Sequence, residues 1–350
     1  MTVAGPGREV RVLAAGDRFV LPRLLSAAVT SELGSRAIVS EYEMAWPDEP
    51  FGSVAEVDEA SGTEEGLIEA LRGVEAIVTQ LAPVTRRVIE ASKSLRFIGV
   101  SRGGPVNINV AAARENGITI VNAPGRNGVA TAEMTLGLIL AVTRRIAQSQ
   151  ATLARNQWRG EFYRFDETGP EIDGSTIGLL GYGAVGSVVA RALAAMGAEV
   201  LVYDPFVEQS ALLPGVTKAD DLDELFQRSL IVSVHARLTP QSRGIVSAAR
   251  IAQMRHGSYV VNAARGPLVD YDAVAAALGS GQLAGAAFDV YSSEPADFTH
   301  PIFMLLGEGA NIVTTPHIAG ATQNVAHRAA SIVAADLRRF VDGEPLEHEI

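Results

Sequence analysis

The stretch Thr176–Gly186 limits what this chain can fold into more than any other. Five residues of strand character, Thr176–Leu180, lead straight into Gly181-Tyr-Gly183-Ala-Val-Gly186, and a helix-forming segment, Ala184–Met196, follows. A strand that ends in G-x-G-x-x-G and opens a helix begins a βαβ unit of a parallel sheet. Each glycine has a task there. Gly181 permits the tight turn, Gly183 lets a pyrophosphate approach the backbone, and Gly186 lets helix and strand lie close. The helix start, at Ala184 and Val185, offers free N–H groups to the phosphate charge. Asp204 lies 21 residues beyond Gly183, at the end of the next strand. Its carboxylate can accept from both hydroxyls of an adenosine ribose and would repel a 2′-phosphate, and Pro205-Phe206 behind it supplies no arginine. The set predicts an NAD site rather than an NADP site.

The rest of the chain repeats the alternation. Strands are predicted at Val10–Ala15, Val74–Thr79, Leu95–Val100, Ile118–Val121, Val200–Tyr203, Leu230–Val234, Tyr259–Asn262, Ala284–Phe288 and Ile312–Thr314, and helices at Thr63–Arg72, Thr85–Ser92 and Val110–Glu115. Continuous apolar strands separated by helices indicate parallel sheets covered on both faces. A long helix, Gly128–Gln148, is expected to cross from one domain to the other. A polar and aromatic loop covers Asn156–Asp173, and a last amphipathic helix spans Thr322–Phe340, with Val325, Ala329, Ile332, Val333 and Leu337 on its apolar side. The first eight and the last six residues are expected to fray.

Composition removes several classes of function. With 350 residues the chain is long enough for two domains. It has no cysteine, which excludes disulfides, thiolate metal sites and thiol nucleophiles. Its six histidines, at 235, 256, 300, 317, 327 and 348, show no metal-ligand spacing, so no metal is expected. A formal charge of −11 argues against nucleic acid as a partner. The longest strongly apolar run, Met134–Val142, is too short to span a membrane, and Met1–Val10 has no apolar leader core, so a cytoplasmic location is the expectation.

Three polar residues follow predicted strands beyond the glycine-rich turn: Arg265 after Tyr259–Ala264, Glu294 after Ala284–Tyr291, and His317 after Ile312–Pro316. Ligands of parallel sheets bind at the carboxyl ends of strands, so the three are expected to converge. Their types suit oxidation of a 2-hydroxy acid. Arg265 holds the substrate carboxylate and polarises the carbonyl. His317 takes the hydroxyl proton, and returns it in the reverse direction. Glu294 orients the imidazole and favours its cation.

At this point the chain resembles the D-isomer-specific 2-hydroxyacid dehydrogenase family, in particular its phosphoglycerate dehydrogenase-like members. The matching segments are Gly181–Gly186 with Asp204, Val261–Asp270, Ala287–Pro295 and Thr315–Gly320; Asn107-Ile-Asn109 and Gly117–Gly125 also fit the pattern. Coverage runs from about Val74 to the last helix. The resemblance implies an α/β fold of two Rossmann-like or flavodoxin-like domains with parallel sheets and an active-site cleft between them. The substrate domain would comprise residues 1–122 and 321–350, and the NAD-binding domain residues 123–320. It implies cofactor contacts at His235, Ala263, Asp289 and Gly320, with Asp289 meeting the nicotinamide carboxamide. The backbone of Ser101, Arg102 and Gly103 would face the substrate carboxylate. It also implies a homodimer, formed largely through the nucleotide domain and the helix near Thr131–Gln148. The expected substrate is a small anionic 2-hydroxy or 2-oxo acid, such as a sugar acid or a phosphorylated acid.

The chain departs from the family in its basic residues. Arg102 adds a cation beside the carboxylate site, Arg237 stands where many relatives have proline, and the loop Trp158–Thr168 carries Arg159, Tyr163 and Arg164. The chain uses only two lysines, Lys93 and Lys218, among 29 basic residues, so abundant arginine is partly a composition bias. Two other readings share the motifs. A non-enzymatic, NAD(H)-sensing corepressor-like protein would bind partners according to NADH. A formate dehydrogenase-like enzyme would have glutamine where Glu294 stands, since formate has no hydroxyl proton to remove.

Overall fold

The computed structural model describes residues 9–46 and 52–350. The chain divides into two units, Met1–Asn127 with Ala321–Ile350, and Gly128–Gly320. The division falls five residues after the one expected from sequence.

In the first unit, β1 (Val10–Gly16), β2 (Ala37–Glu43), β3 (Ala76–Thr79), β4 (Phe97–Val100) and β5 (Thr119–Val121) form a parallel sheet. Its order, β2-β1-β3-β4-β5, is flavodoxin-like, with the direction of winding reversing between β1 and β3. β3 and β4 are buried at every position because helices cover both faces. Leu13, Ile77 and Ile98 face the helices that contain Leu67 and Val88. Val12, Val78 and Phe97 face Leu25 and Val29 on one helix and Val333 and Leu337 on the last one. Several helices start where a short polar side chain accepts a first-turn N–H: Thr63 from Gly66, Thr85 from Val88, Asn109 from Ala112, and Thr322 from Val325.

In the second unit, β6 (Thr176–Leu180), β7 (Glu199–Tyr203), β8 (Val216–Lys218), β9 (Ile231–Val234), β10 (Ser258–Asn262), β11 (Leu283–Phe288) and β12 (Ile312–Thr314) form a parallel sheet in the order β12-β11-β10-β9-β6-β7-β8. Counted within the unit, this is the doubly wound order 3-2-1-4-5-6 with one more strand added, and the winding reverses between β6 and β9. Two apolar layers fill its faces. One includes Leu201, Phe226, Val232, Val260 and Phe288; the other includes Ile139, Ile177, Leu179, Val189, Val200 and Val261.

Three expectations need correction. The helix from Gly128 ends at Thr143, and a second helix, Ile146–Leu153, resumes after Arg145. Arg145 has a left-handed backbone, φ 51°. Its Nε donates to the Glu167 carbonyl at 2.7 Å and its Nη2 pairs with the Glu167 carboxylate at 3.2 Å, which fixes the break. Both pieces belong to the second unit, so this helix crosses nothing. The C-terminal tail is tied down rather than frayed. Ile350 N donates to the Ile120 carbonyl, Asn122 N to the His348 carbonyl, and the buried Asp336 accepts from Glu347 N and His348 Nδ1. Those bonds cover the edge that β5 would otherwise expose. Finally, the helix Pro22–Leu33 and the strands β2 and β8 had no counterpart among the expected elements. β2 alternates half-buried and exposed residues, so its apolar signal is weak. The expected fraying of residues 1–8 lies outside the described residues.

Candidate active site

The glycine-rich turn is shaped as its sequence requires. Gly181 has φ 103°, and a Cβ there would lie 2.9 Å from the His235 carbonyl. A Cβ on Gly186 would lie 2.2 Å from the Gly181 carbonyl oxygen, so the turn closes only without side chains at both positions. Around Gly183 the space is open: nothing lies within 4 Å of a Cβ built there. Gly183 and Ala184 are exposed, and Val185 precedes the helix Gly186–Ala195 without a capping side chain. The N–H groups of that first turn are therefore left for a ligand.

Asp204 follows β7. Its Oδ2 accepts from Tyr182 N and its Oδ1 from Phe206 N, both at 2.9 Å. Each oxygen keeps a further lone pair, and the two bonds aim the carboxylate. These features fit a dinucleotide: an open backbone for the phosphates and a fixed acceptor for ribose hydroxyls. His235 sits against the same turn, after β9, with its Nε2 3.0 Å from Ser233 Oγ. Burial pushes its pKa down to about 4, so it is neutral at ordinary pH.

Arg265, Glu294 and His317 come together, each in a loop at the carboxyl edge of the second sheet. Asn262, the last residue of β10, clamps the first of these loops: its Oδ1 accepts from Ala264 N and its Nδ2 donates to the Arg265 carbonyl. Ala263 lies buried inside that clamp. Gly266 comes so close to the Tyr291 carbonyl that a Cβ would sit 1.6 Å from the oxygen, which brings the arginine loop against the glutamate loop. The exposed Arg265 is close enough for its charge to act on both Glu294 and His317.

His317 Nδ1 lies 2.5 Å from Glu294 Oε2. A carboxylate only accepts, so Nδ1 carries the hydrogen, and in the neutral ring Nε2 holds the free lone pair. The hydrogen bond to Glu294 raises the imidazole pKa against the opposing effect of burial, and the carboxylate charge adds to it. For Glu294, burial pushes the pKa up, but the bond from His317, its charge and the Tyr291 N–H together hold it below the usual value. Both side chains stay accessible, 48% for His317 and 33% for Glu294.

The histidine is held by its backbone. Its φ is 52°, a left-handed value that costs about 1–3 kcal/mol for a residue other than glycine. Asp289, fully buried after β11, holds that shape. Its carbonyl accepts from His317 N at 2.8 Å, its Oδ1 from Thr315 Oγ1 and Ile318 N, and its Oδ2 from Ala319 N. One lone pair of Oδ2 remains. Tyr291 braces the same loop through its hydroxyl, which donates to the Thr315 carbonyl. Gly320 ends the loop and the unit.

Ser101, Arg102 and Gly103 belong to the first unit, at the end of β4. Arg102 is not a spare cation there: its guanidinium pairs with the Glu59 carboxylate and donates to the Glu59 carbonyl. The sequence reading missed Asn262, Thr315 and Tyr291, which act on the site through other residues and carry no signal of their own. It also missed Arg126, whose guanidinium makes no hydrogen bond to any described residue and whose Nη1 is buried.

Residues 136–319 match the family described as D-isomer specific 2-hydroxyacid dehydrogenase, NAD binding domain. The D-3-phosphoglycerate dehydrogenase of Methanocaldococcus jannaschii is 36% identical over 300 residues, which cover 85% of this chain and 56% of that protein. The chain thus spans little more than half the length of that relative. The glyoxylate reductase of Thermofilum pendens is 35% identical over 287 residues, 81% of this chain and 83% of that protein. Among solved structures, the apo form of D-lactate dehydrogenase from Escherichia coli matches with a TM-score of 0.76 and 25% identity, covering 97% of this chain and all of that one.

Proposed function

The chain belongs to the D-isomer specific 2-hydroxyacid dehydrogenase family, and on that premise we propose that it interconverts a small 2-hydroxy acid and its 2-oxo acid with NAD. The observation that carries the reading is the 2.5 Å contact between His317 Nδ1 and Glu294 Oε2, with Arg265 beside both.

NAD, when bound, supplies the hydride acceptor, and its reduced form the hydride donor. Gly181–Gly186 would hold the pyrophosphate and Asp204 the adenosine ribose, with His235, Ala263, Asp289 and Gly320 lining the remainder. Arg265 binds the substrate carboxylate. As the carbon–hydrogen bond of the alcohol carbon breaks, His317 Nε2 takes the hydroxyl proton, a contribution of roughly 10²–10⁴-fold. Glu294 accepts the Nδ1 hydrogen bond throughout and stabilises the imidazolium that forms. In reduction the imidazolium returns the proton to the carbonyl oxygen.

We place the enzyme in the cytoplasm, where a shared NAD(H) pool serves such reactions, and take it to be a homodimer. No helix among the described residues is long and apolar enough to cross a membrane. Support for the dimer comes from the exposed aromatic stretch after the broken helix: Trp158 is 87%, Tyr163 93% and Phe165 90% exposed. A second copy covering that stretch would bury them.

A panel of D-2-hydroxy acids and 2-oxo acids followed by NADH absorbance tests the activity. Turnover of at least one acid is expected. NADH binding with no turnover of any would sink the reading, and turnover of formate alone would reassign Glu294. NADH-dependent capture of a protein partner without turnover would favour the corepressor alternative.

A further inference from the structure

A cavity of about 430 Å³ opens within the first unit, where the turn after β1 lies beside the start of the last helix, Gln323–Asp342. Arg18, Arg23 and His327 line it, with Phe19, Leu21 and Leu24 as its apolar wall. No carboxylate among the described residues does. The three basic side chains are exposed, and none makes a hydrogen bond or ion pair with any described residue. Carboxylates are not scarce: the chain has a formal charge of −11, and Arg36, Arg87 and Arg338 of the same unit each meet one. Three unpaired bases around one concave space are therefore the exception in this unit.

The frame that carries them is rigid. Asp17 N donates to the Val20 carbonyl at 3.0 Å, and Asp17 Oδ1 accepts from Phe19 N at 2.7 Å and Val20 N at 2.9 Å, which closes the turn that holds Arg18. Those bonds keep Asp17 fully buried and out of the cavity lining. Pro22 sets the helix Pro22–Leu33, which carries Arg23 in its first turn. Thr322 Oγ1 accepts from Val325 N at 3.2 Å and fixes the start of the last helix, which carries His327. The two helices pack on each other.

We propose that this cavity is a binding site for a small phosphate monoester, with its phosphoryl group among Arg18, Arg23 and His327 and its organic part against Phe19 and Leu24. Two guanidinium groups supply two fixed positive charges, which match a dianion, and their planar forks suit phosphate oxygens. The imidazole adds a donor from a different element, so the oxygens of one tetrahedral group are met from more than one side. A single carboxylate would leave one of the arginines unpaired. The space exceeds what an inorganic ion needs, since a water molecule takes roughly 10–15 Å³ of such volume. The apolar wall then favours an ester over free phosphate. Nucleic acid is a poor occupant of one small basic cavity on a chain this acidic. Every lining residue belongs to the first unit, so the site does not depend on Arg265, Glu294 or His317.

Calorimetry on the full chain tests the site, with NADH saturating so that the glycine-rich turn is already occupied. Phenyl phosphate should bind one to one, inorganic phosphate about tenfold more weakly, and benzoate more weakly still. Arg18→Gln and Arg23→Gln should each lower phenyl phosphate affinity about 10–100-fold, the range for a hydrogen bond to a charged group. Arg23→Lys should keep part of it. Both glutamine variants should melt within a degree or two of the wild type, because neither side chain has a partner to lose. Absence of phenyl phosphate binding, unchanged affinity in both variants, or benzoate binding as tightly as phenyl phosphate overturns the proposal. Competition of phenyl phosphate with a 2-oxo acid in steady-state kinetics overturns it as well, since the cavity would then be part of the substrate site. A chain that turns over no hydroxy acid loses the dehydrogenase reading alone, because the calorimetry needs no turnover.

Discussion

The two sheets share one architecture and finish their carboxyl edges in opposite ways. In the second unit the charged groups are tied down before any ligand arrives. Asp204 accepts two backbone N–H groups, Asp289 holds the His317 loop with three side-chain bonds, and Glu294 meets the imidazole. In the first unit Asp17, Gln80, Ser101 and Arg126 keep buried atoms with no hydrogen-bond partner among the described residues. On the proposed reading, the second edge is preorganised for chemistry and the first leaves groups open to binding. A proton-transfer pair must stand at fixed distance and orientation before reaction. A binding group can leave its last bond to the ligand, at the cost of some stability without it.

His317→Ala attacks the preorganised edge directly. It should lower kcat by about 10²–10⁴ and leave NADH affinity within a few-fold; fluorescence titration beside the kinetics checks both. Equal loss of binding would mean that the left-handed loop, not the proton transfer, was what the residue supplied. Glu294→Gln sharpens the result through pH. Glu294 raises the His317 pKa, so the imidazole stays protonated to higher pH than a free histidine. Oxidation, which needs the neutral ring, should rise with pH through that raised value, and reduction, which needs the cation, should fall through it. In Glu294→Gln both breaks should move down toward the value of an ordinary histidine. His235, already neutral from about pH 4 upward, should contribute no break in either profile.

Thr315→Val tests whether the support under the histidine is structural. The hydroxyl donates to Asp289 Oδ1 at 2.6 Å, and its removal leaves a buried carboxylate short of one donor. Chemical denaturation should show a loss of about 1.5–3 kcal/mol, the range for hydrogen bonds to charged groups. Asp204→Ala should act more gently, lowering the preference for NAD over NADP about tenfold, the equivalent of roughly 1.4 kcal/mol. An unchanged ratio in steady-state kinetics would remove Asp204 from the ribose.

The second unit was the more legible of the two in sequence. Its central strands are buried on both faces and read as unbroken apolar runs, and the glycine-rich turn has backbone demands that only Gly181 and Gly186 meet. Arg265, Glu294 and His317 were visible because each follows such a strand. The groups that position them were not. Asp289 could be named as a site residue, but its grip on Thr315, Ile318 and Ala319 depends on a loop conformation that no residue type announces. In the first unit the alternating β2 gave little apolar signal, and Arg126 was lost among 29 basic residues. Only burial distinguishes it from the solvated arginines. The pairing of Arg102 with Glu59, 43 positions away, was equally out of reach of local pattern.

The smallest expected effect bears most directly on the contrast between the two edges. Ser101→Ala deletes a hydroxyl, as Thr315→Val does, but one with no hydrogen-bond partner among the described residues. Without ligand it should change stability by less than about 0.5 kcal/mol, or raise it slightly, because an unsatisfied buried polar group is removed. With a saturating 2-oxo acid the wild type should gain stability and Ser101→Ala should gain less, since binding to the folded state alone stabilises in proportion to affinity. If both deletions prove equally costly without ligand, the Ser101 hydroxyl is already satisfied in solution, and the first unit's edge is as complete as the second's. If the ligand-dependent gain is the same in both chains, the hydroxyl takes no part in binding.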